Sequence, residues 1–390
     1  MHFYQTNVND SFRSLVSKFF RLSTNKLGCE YPLVKTTSRV GDVLQIVEPV
    51  IITYQEPLQR VLFNETRDAN PFFHVMESLW LLAGRNDVAP LNYYSSKYST
   101  FCSDDGVTQH AAYGKRWREW FGYDQLACII EELKKNPSSR RCVLSMWDAC
   151  CCTKTKVPHE IYGRARHDLW MATNGGKDTP CNTHAYFLIN NGKLDMTVCN
   201  RSNDLILGCL GANVVHFSFL AEYLAANIGV PIGVYNQVTT NLHVYESNFK
   251  PELWLGDLTP DYYQGVPRLN YVPLVQDPAR FEEELMKFNE HWLGRDLMDK
   301  IHLPGSDVFK EPFFTNVAYP MALAFFQHKK RAYKVALEWA NQIAADDWCR
   351  VAVNWLRRRQ ARYNVAKDDG PIHEENPYYK NEIARIKEGE

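Results

Sequence analysis

Pro180-Cys181-Asn182-Thr183-His184 opens the stretch on which the reading of this chain turns. Ala185-Tyr186-Phe187-Leu188-Ile189 follows as a strand-like run, and Asn190-Asn191-Gly192-Lys193 as a turn. A second strand, Leu194 to Val198, completes a hairpin. Next come Arg201-Ser202-Asn203-Asp204, Leu207-Gly208, Asn213 and an apolar helix, and His243 and Tyr245 close the run. A cysteine between proline and polar residues, with Arg-Ser-x-Asp one hairpin later, suits chemistry on an anionic ring substrate. The thiol can attack, the arginine can hold a phosphate, and the amides can read a base edge.

Composition narrows the setting. The 390 residues are enough for one large domain or two ordinary ones, and 45% are hydrophobic, a normal share for a globular core. A net charge of -1 gives no global field toward nucleic acid or a membrane, so neither is expected as a partner. No uninterrupted apolar run is long enough to span a bilayer. The start, Met1-His2-Phe3-Tyr4-Gln5, lacks a basic segment followed by an apolar one. Eleven cysteines, an odd count without repeated spacing, argue for reduced thiols in a cytoplasmic setting. Cys150-Cys151-Cys152 cannot easily share one tetrahedral metal, and no metal is expected.

Upstream of the hairpin, Ser11 to Leu22 carries Phe12, Leu15, Val16 and Phe19 on one helical face. Ser38-Arg39-Val40-Gly41-Asp42 reads as a turn and Val43 to Tyr54 as one or two strands; Arg39 is either solvated or an anion contact. Asn70-Pro71 caps and starts a helix, Phe72 to Leu82, that is apolar nearly all round and therefore buried. Glu77 sits inside it, either as half of a buried salt bridge or as a working carboxyl. Tyr113-Gly114-Lys115-Arg116-Trp117-Arg118 is a basic and aromatic knot. Asp124 to Lys135 is an amphipathic helix. Arg140-Arg141 precedes a strand, Cys142 to Trp147, and is either exposed or a phosphate clamp. Residues 150–177 read as an insertion or long loop.

Downstream, Phe217 to Ile228 is a buried helix turning at Gly229-Val230-Pro231. Character changes near Asn248, and from Pro278 the chain is helical. One helix carries Ala332, Val335, Ala336, Trp339 and Ile343. Another carries Val351, Ala352 and Trp355 and ends in Arg357-Arg358-Arg359, where basic residues suit the helix dipole. The tail after Lys367 is charged and expected to be mobile. The expected fold is α/β, with a mixed sheet and covering helices over residues 1–250. A mostly helical extension, 251–390, is expected to pack on it.

Over Arg39 to Tyr245 these motifs, in this order, resemble the thymidylate synthase family, which includes the phage dUMP and dCMP hydroxymethylases. The resemblance is nearest in wording to the phage branch. It implies a thymidylate synthase-like fold. It assigns Cys181 as nucleophile, Glu77 as the buried catalytic glutamate, and Tyr113 and Asp204 as further catalytic residues. Arg39, Arg201 and Ser202 become nucleotide ligands, Asn213 the base reader, and His243 and Tyr245 the deoxyribose contacts. Arg140 and Arg141 are implied to reach the phosphate of the partner subunit in a homodimer. Three departures are present. Leu207-Gly208-Cys209-Leu210-Gly211-Ala212-Asn213 is one residue longer than the family's run. The tryptophans before the Tyr-Gly segment are absent, with Tyr98 and Phe101 nearest. The chain ends in Ile386-Lys387-Glu388-Gly389-Glu390, charged where thymidylate synthases are apolar.

The implied reaction is one-carbon transfer from 5,10-methylenetetrahydrofolate to C5 of a deoxypyrimidine monophosphate. Arg201 and its neighbours are expected to favour the Cys181 thiolate. An exocyclic methylene then takes hydride to give methyl or water to give hydroxymethyl. Without the shielding tryptophan and apolar tail, hydroxymethylation is favoured and methylation is the alternative. The Asn213 amide matches uracil's N3–H and O4, favouring dUMP without excluding dCMP. Two other classes compete. A zinc deaminase requires His-x-Glu and Pro-Cys-x-x-Cys, and here His184 stands at the second cysteine's place. A non-catalytic nucleotide binder needs neither Cys181 nor Glu77. A phage-encoded enzyme would act in the host cytoplasm.

Overall fold

The hairpin lies inside a six-stranded mixed sheet. A computed structural model describes residues 1–24, 33–149, 168–293 and 308–367. Its strands are β1 (His2–Gln5), β2 (Val34–Ser38), β3 (Gly41–Gln45), β4 (Val50–Tyr54), β5 (Val143–Ser145), β6 (Asn182–Asn190), β7 (Lys193–Asn200), β8 (Asn203–Asp204), β9 (Ile232–Thr239) and β10 (Leu242–Tyr245). The large sheet runs β1-β4-β9-β7-β6-β5, and a smaller one runs β2-β3-β10-β8. Pairs β1/β4 and β7/β9 are parallel, and β4/β9, β6/β7 and β5/β6 are antiparallel. Val43 to Tyr54 thus forms two strands in different sheets.

Asn191 and Gly192 turn the β6–β7 hairpin with φ of 50° and 74°. Both residues of a tight two-residue turn require that left-handed backbone, which asparagine and glycine tolerate best. The strands are longer than the apolar runs suggest, because polar Asn182 and Asn200 at their open ends still pair. The register shifts between Asn182 and His184, so the strand kinks one residue after Cys181.

The helix Pro71–Leu82 begins as expected, with the Asn70 side chain accepting from the Phe73 N–H at 3.1 Å. Its all-round apolarity has a direct cause. One side packs on the helix Asn213–Ile228, and the other meets the C-terminal helices, where Phe72 lies 5.4 Å from Phe325 and 5.5 Å from Trp355. One continuous core therefore joins the regions on either side of Asn248. Buried hydrogen bonds cross the same boundary. Glu222 pairs with Arg60 at 2.7 Å and accepts from the Leu274 N–H and the Tyr271 hydroxyl.

Several sequence expectations are corrected. Arg357-Arg358-Arg359 lies within the helix Asp346–Lys367, not at its end. Arg358, Arg359 and Arg362 converge on the buried carboxylate of Asp68, at 3.1, 2.8 and 3.1 Å. The helix around Ala336 spans only Tyr333–Ala340, so Ile343 is buried beyond its end. Arg116 in the basic knot is fully buried and held bidentately by Asp168, at 2.8 and 2.9 Å. The segment Leu205–Ile228 is one helix, long and apolar enough by composition to cross a membrane, but 83% of its most apolar window is buried in the fold. Asn213, His216 and Glu222 interrupt the run and hide it from a simple apolar count. Cys150-Cys151-Cys152 and the tail after Lys367, with Ile386 to Glu390, lie outside the described residues.

Candidate active site

Cys181 is positioned through its peptide. The Tyr113 hydroxyl accepts from the backbone N–H of Cys181 and of Asn182, both at 3.2 Å. Arg201, one hairpin later, wraps the same segment. Its Nε donates to the Pro180 carbonyl at 2.8 Å, its Nη2 to Thr179 Oγ1 at 3.0 Å, and Nη2 stands 3.8 Å from Cys181 Sγ. The Arg201 N–H also donates to the Cys181 carbonyl at 2.9 Å. The arginine therefore braces the Cys181 peptide, in addition to the phosphate contact expected of it.

The expected thiolate is not favoured by these surroundings. Burial pushes the Cys181 thiol above its ordinary value; Arg201 and Arg39 pull it down and Asp178 pushes it up. Desolvation outweighs the arginines because it acts on the whole ionised sulfur, while the guanidinium charges are delocalised and partly solvated. Asp178 behaves similarly: burial raises its carboxyl to about 6 despite backbone hydrogen bonds from His110 and Ala111.

Glu77 is buried, and its Oε2 lies 3.0 Å from His216 Nε2. His216 was not singled out in the sequence. It stands three residues after Asn213, on the same face of the helix, so helical spacing from the candidate base reader points to it. His74 lies behind this pair; burial chiefly, then repulsion from His216 and Arg67, lowers its pKa to about 3. Tyr98, at the place of the missing tryptophans, donates to Gln109 at 2.7 Å. Burial first, and then the Glu77 charge, push its phenol well up. The Phe101 side chain lies outside the described residues.

Asn213 enters the site through an unusual turn. Leu205–Ala212 is π-helical and runs directly into the α-helix Asn213–Ile228. The wider i→i+5 turn takes up an additional residue without breaking the helix, which accommodates the longer run before Asn213. Asn213 Nδ2 donates to Asn203 Oδ1 at 3.0 Å, and its Oδ1 faces Asn182 Nδ2 at 3.5 Å. Asp204 Oδ1 accepts from the N–H groups of Ile206 and Leu207, so this carboxylate caps the π-helical turn.

The structure brings most of the other candidates to the same place. His243 Nδ1 lies 2.9 Å from Asn241 Oδ1, with its ring edge-on to Tyr245 at 5.4 Å. Tyr245 is within electrostatic reach of Cys181, Asp204 and Arg39, and the exposed Arg39 in the β2–β3 turn also acts on Cys181. Ser202 is half-buried between Arg201 and β8. Arg140 and Arg141 are not brought to Cys181. Both are exposed beside β5, and Arg141 pairs with Glu132 at 3.4 Å.

A cleft of about 220 Å³ adjoins Asp204 and Tyr245, lined also by Arg67, Leu207, Lys250 and Trp254. Apolar Leu207 and Trp254 with cationic Arg67 and Lys250 suit an elongated, aromatic, anionic molecule. A cavity of about 480 Å³ lies between the first helix and Thr259–Gln264 and contains none of these residues.

A braced thiol, a buried acid–histidine pair and an amide wall on one mixed α/β scaffold define a group-transfer enzyme. The chain belongs to the thymidylate synthase family, whose model, Thymidylate synthase, matches residues 64–255. It is 42% identical over 359 residues to a deoxyuridylate hydroxymethyltransferase of Pseudomonas phage M6, covering 87% of this chain and 93% of that protein. A protein of the same description from Bacillus phage SP01 is 38% identical over 270 residues, covering 65% of this chain and 64% of that protein. Among solved structures, thymidylate synthase from T4 phage aligns with a TM-score of 0.48 and 20% identity, over 71% of this chain and 90% of that one. A match over 87% of the chain takes in much of the region after Tyr245, beyond the motifs read in the sequence.

Proposed function

We propose that this transferase converts dUMP to 5-hydroxymethyl-dUMP. The observation that carries the reading is that Asn182, next to Cys181, faces the Asn213 amide, and that the helix begun by Asn213 carries His216 against Glu77. The strong likeness to a phage deoxyuridylate hydroxymethyltransferase supports the choice of base and product. Arg67, Leu207, Lys250 and Trp254 would hold 5,10-methylenetetrahydrofolate beside Asp204. When bound, this donor supplies a one-carbon unit at the methylene level.

Cys181 adds to C6 of the uracil ring, and C5 becomes nucleophilic. Once C5 has bonded to the one-carbon unit that the donor would supply, Glu77 takes part in removing the C5 proton, and departure of the reduced folate with the carbon–nitrogen electron pair leaves an exocyclic methylene on the nucleotide. A water oxygen bonds to that carbon while its proton passes to the Glu77–His216 pair. The electron pair moves through C5 to O4 and returns to expel the Cys181 thiolate, restoring the C5–C6 double bond. Tyr113 keeps the nucleophile's peptide in place, and Arg39, Arg201 and Ser202 hold the phosphate. His243 and Tyr245 contact the sugar. Arg140 and Arg141 serve the phosphate of a second copy in a homodimer, and the enzyme acts in the host cytoplasm.

Mass spectrometry of the nucleotide after incubation with dUMP and methylenetetrahydrofolate tests the product. A hydroxymethyl group carries one oxygen more than methyl. A product of dTMP mass would refute hydroxymethylation and leave the nucleophile assignment standing.

A further inference from the structure

We propose that Asn203 and Gln237 are positioning residues that fix which way round the Asn213 amide lies, and thereby select uracil over cytosine. The inference rests on the reading of Asn213 as the residue facing the pyrimidine edge. An asparagine amide can turn over and exchange donor for acceptor, so Asn213 alone does not distinguish the two bases.

Here it is held at the end of a chain of buried amides. Gln237 on β9 is fully buried, and its Nε2 donates to the Cys209 carbonyl at 3.0 Å. A carbonyl oxygen only accepts, so that end of Gln237 has to be its NH2. Its Oε1 then accepts from Asn203 Nδ2 at 3.2 Å. Asn203 therefore presents Oδ1 to Asn213, which donates to it from Nδ2 at 3.0 Å. Each orientation follows from the one before, and the first is set by a backbone group that cannot turn. Gly208 makes room for the chain, since a Cβ there would collide with Asn203 Oδ1. At the far end Asn182 Nδ2 faces Asn213 Oδ1 at 3.5 Å. The buried Asn182 Oδ1 accepts no hydrogen bond among the described residues, an acceptor left over where a ligand donor would satisfy it.

In this orientation Asn213 has Oδ1 as acceptor and its second Nδ2–H as donor, the complement of uracil N3–H and O4. Cytosine requires the two ends exchanged. Exchange would set Asn213 Oδ1 against Asn203 Oδ1. Turning Asn203 moves the conflict to Gln237, and turning Gln237 sets Oε1 against the Cys209 carbonyl. One acceptor–acceptor contact remains wherever the chain is turned. A mispaired buried polar group of this kind is worth about ten- to hundredfold in discrimination.

The test is the ratio of kcat/KM for dUMP to that for dCMP, measured first on the unaltered full chain and then on Gln237→Leu, Asn203→Ala and Gln237→Glu. Preference for dCMP in the unaltered chain would sink the dUMP reading, and this inference with it. If dUMP is preferred, Gln237→Leu and Asn203→Ala should each lower the ratio about tenfold or more, because the amides beyond the cut turn freely. Gln237→Glu keeps an acceptor toward Asn203 and should hold the ratio near that of the unaltered chain. A purely structural role predicts instead that all three variants slow both nucleotides alike, the buried carboxylate of Gln237→Glu most, with the ratio unmoved in every one. Ratios unchanged within about twofold in Gln237→Leu and Asn203→Ala would overturn the inference and leave the dUMP reading intact. Should either variant fail to fold, the other carries the same comparison.

Discussion

Removing the hydroxyl of Tyr113 should loosen the nucleophile without altering any group that touches the base. Tyr113→Phe keeps the ring against Phe217, at 6.0 Å between centroids, and opens almost no cavity. What disappears is the acceptor shared by the N–H groups of Cys181 and Asn182, each at 3.2 Å. Asn182 is fully buried and Cys181 half-buried, so at least the first N–H has no ready access to water. A buried donor left unpaired costs about 1–3 kcal/mol, and bonds this long fall at the lower end. Two such donors give a stability loss of about 2 kcal/mol. The kinetic effect is a separate matter. The register shift between Asn182 and His184 interrupts the ladder beside Cys181, whose carbonyl is held by the Arg201 N–H, and Tyr113 supplies the acceptor for the N–H groups of Cys181 and Asn182, so its hydroxyl helps set where Sγ points. Misplacement of a reacting group by about 1 Å costs on the order of a hundredfold. We expect kcat to fall about ten- to hundredfold with a smaller change in KM for dUMP, read by steady-state kinetics, and urea melts to report the stability loss. Unchanged kcat alongside the expected destabilisation would show that the hydroxyl supports the fold but does not aim the thiol.

Cys181→Ala and Arg140→Ala should each be inactive alone. Subunit exchange between them should restore activity in a site combining both intact groups; no recovery under proven exchange counts against the shared dimer. Asp178→Asn should change the pH dependence of stability. With a folded pKa of about 6 against an ordinary 3.8, the native state holds its proton where the unfolded chain has lost it. Stability contributed by this proton is therefore present at low pH and lost as pH rises from about 4 through 6. Urea unfolding should shift in favour of Asp178→Asn by about 2 kcal/mol between pH 4 and pH 7.5, and a flat difference would exclude a raised carboxyl there. Glu222→Gln leaves the Arg60 guanidinium buried without its counter-charge and should cost about 3–5 kcal/mol, measured by chemical denaturation; a loss below 1 kcal/mol would mean that Arg60 finds another partner.

The sequence made visible what depends on period and on local chemistry. Alternation in Leu194–Val198, the Asn191-Gly192 turn and the Asn70-Pro71 cap each express a backbone requirement within a few residues, and each stands as expected. The candidate side chains around Cys181 were legible because their types and order match a known family. Three features were not. Burial of the Cys181 sulfur is a property of the folded surroundings, so pairwise reading of nearby arginines predicted the wrong direction for its acidity. Gln237 stands in the middle of a strand, 34 residues from Asn203, and only the sheet brings the two together. Arg357-Arg358-Arg359 resembled a helix end because its acceptor, Asp68, is almost 300 residues away in sequence.

The polar wall and the dry helix behind it solve one physical problem together. A reaction that consumes water cannot exclude it completely, and water near a site competes for every donor and acceptor it reaches. Groups that must keep one orientation are then best tied to something that neither turns nor dissolves. The Asn213 amide is referred back to a backbone carbonyl through Asn203 and Gln237. The Glu77 carboxylate is carried on a helix clamped between two apolar layers, with Phe72 at its start wedged among Phe325 and Trp355. Asp68, three residues before that helix, is pinned by three arginines of the C-terminal region. The helices beyond Pro278 thus fix the helix that carries Glu77, although none of their residues was read as touching the nucleotide.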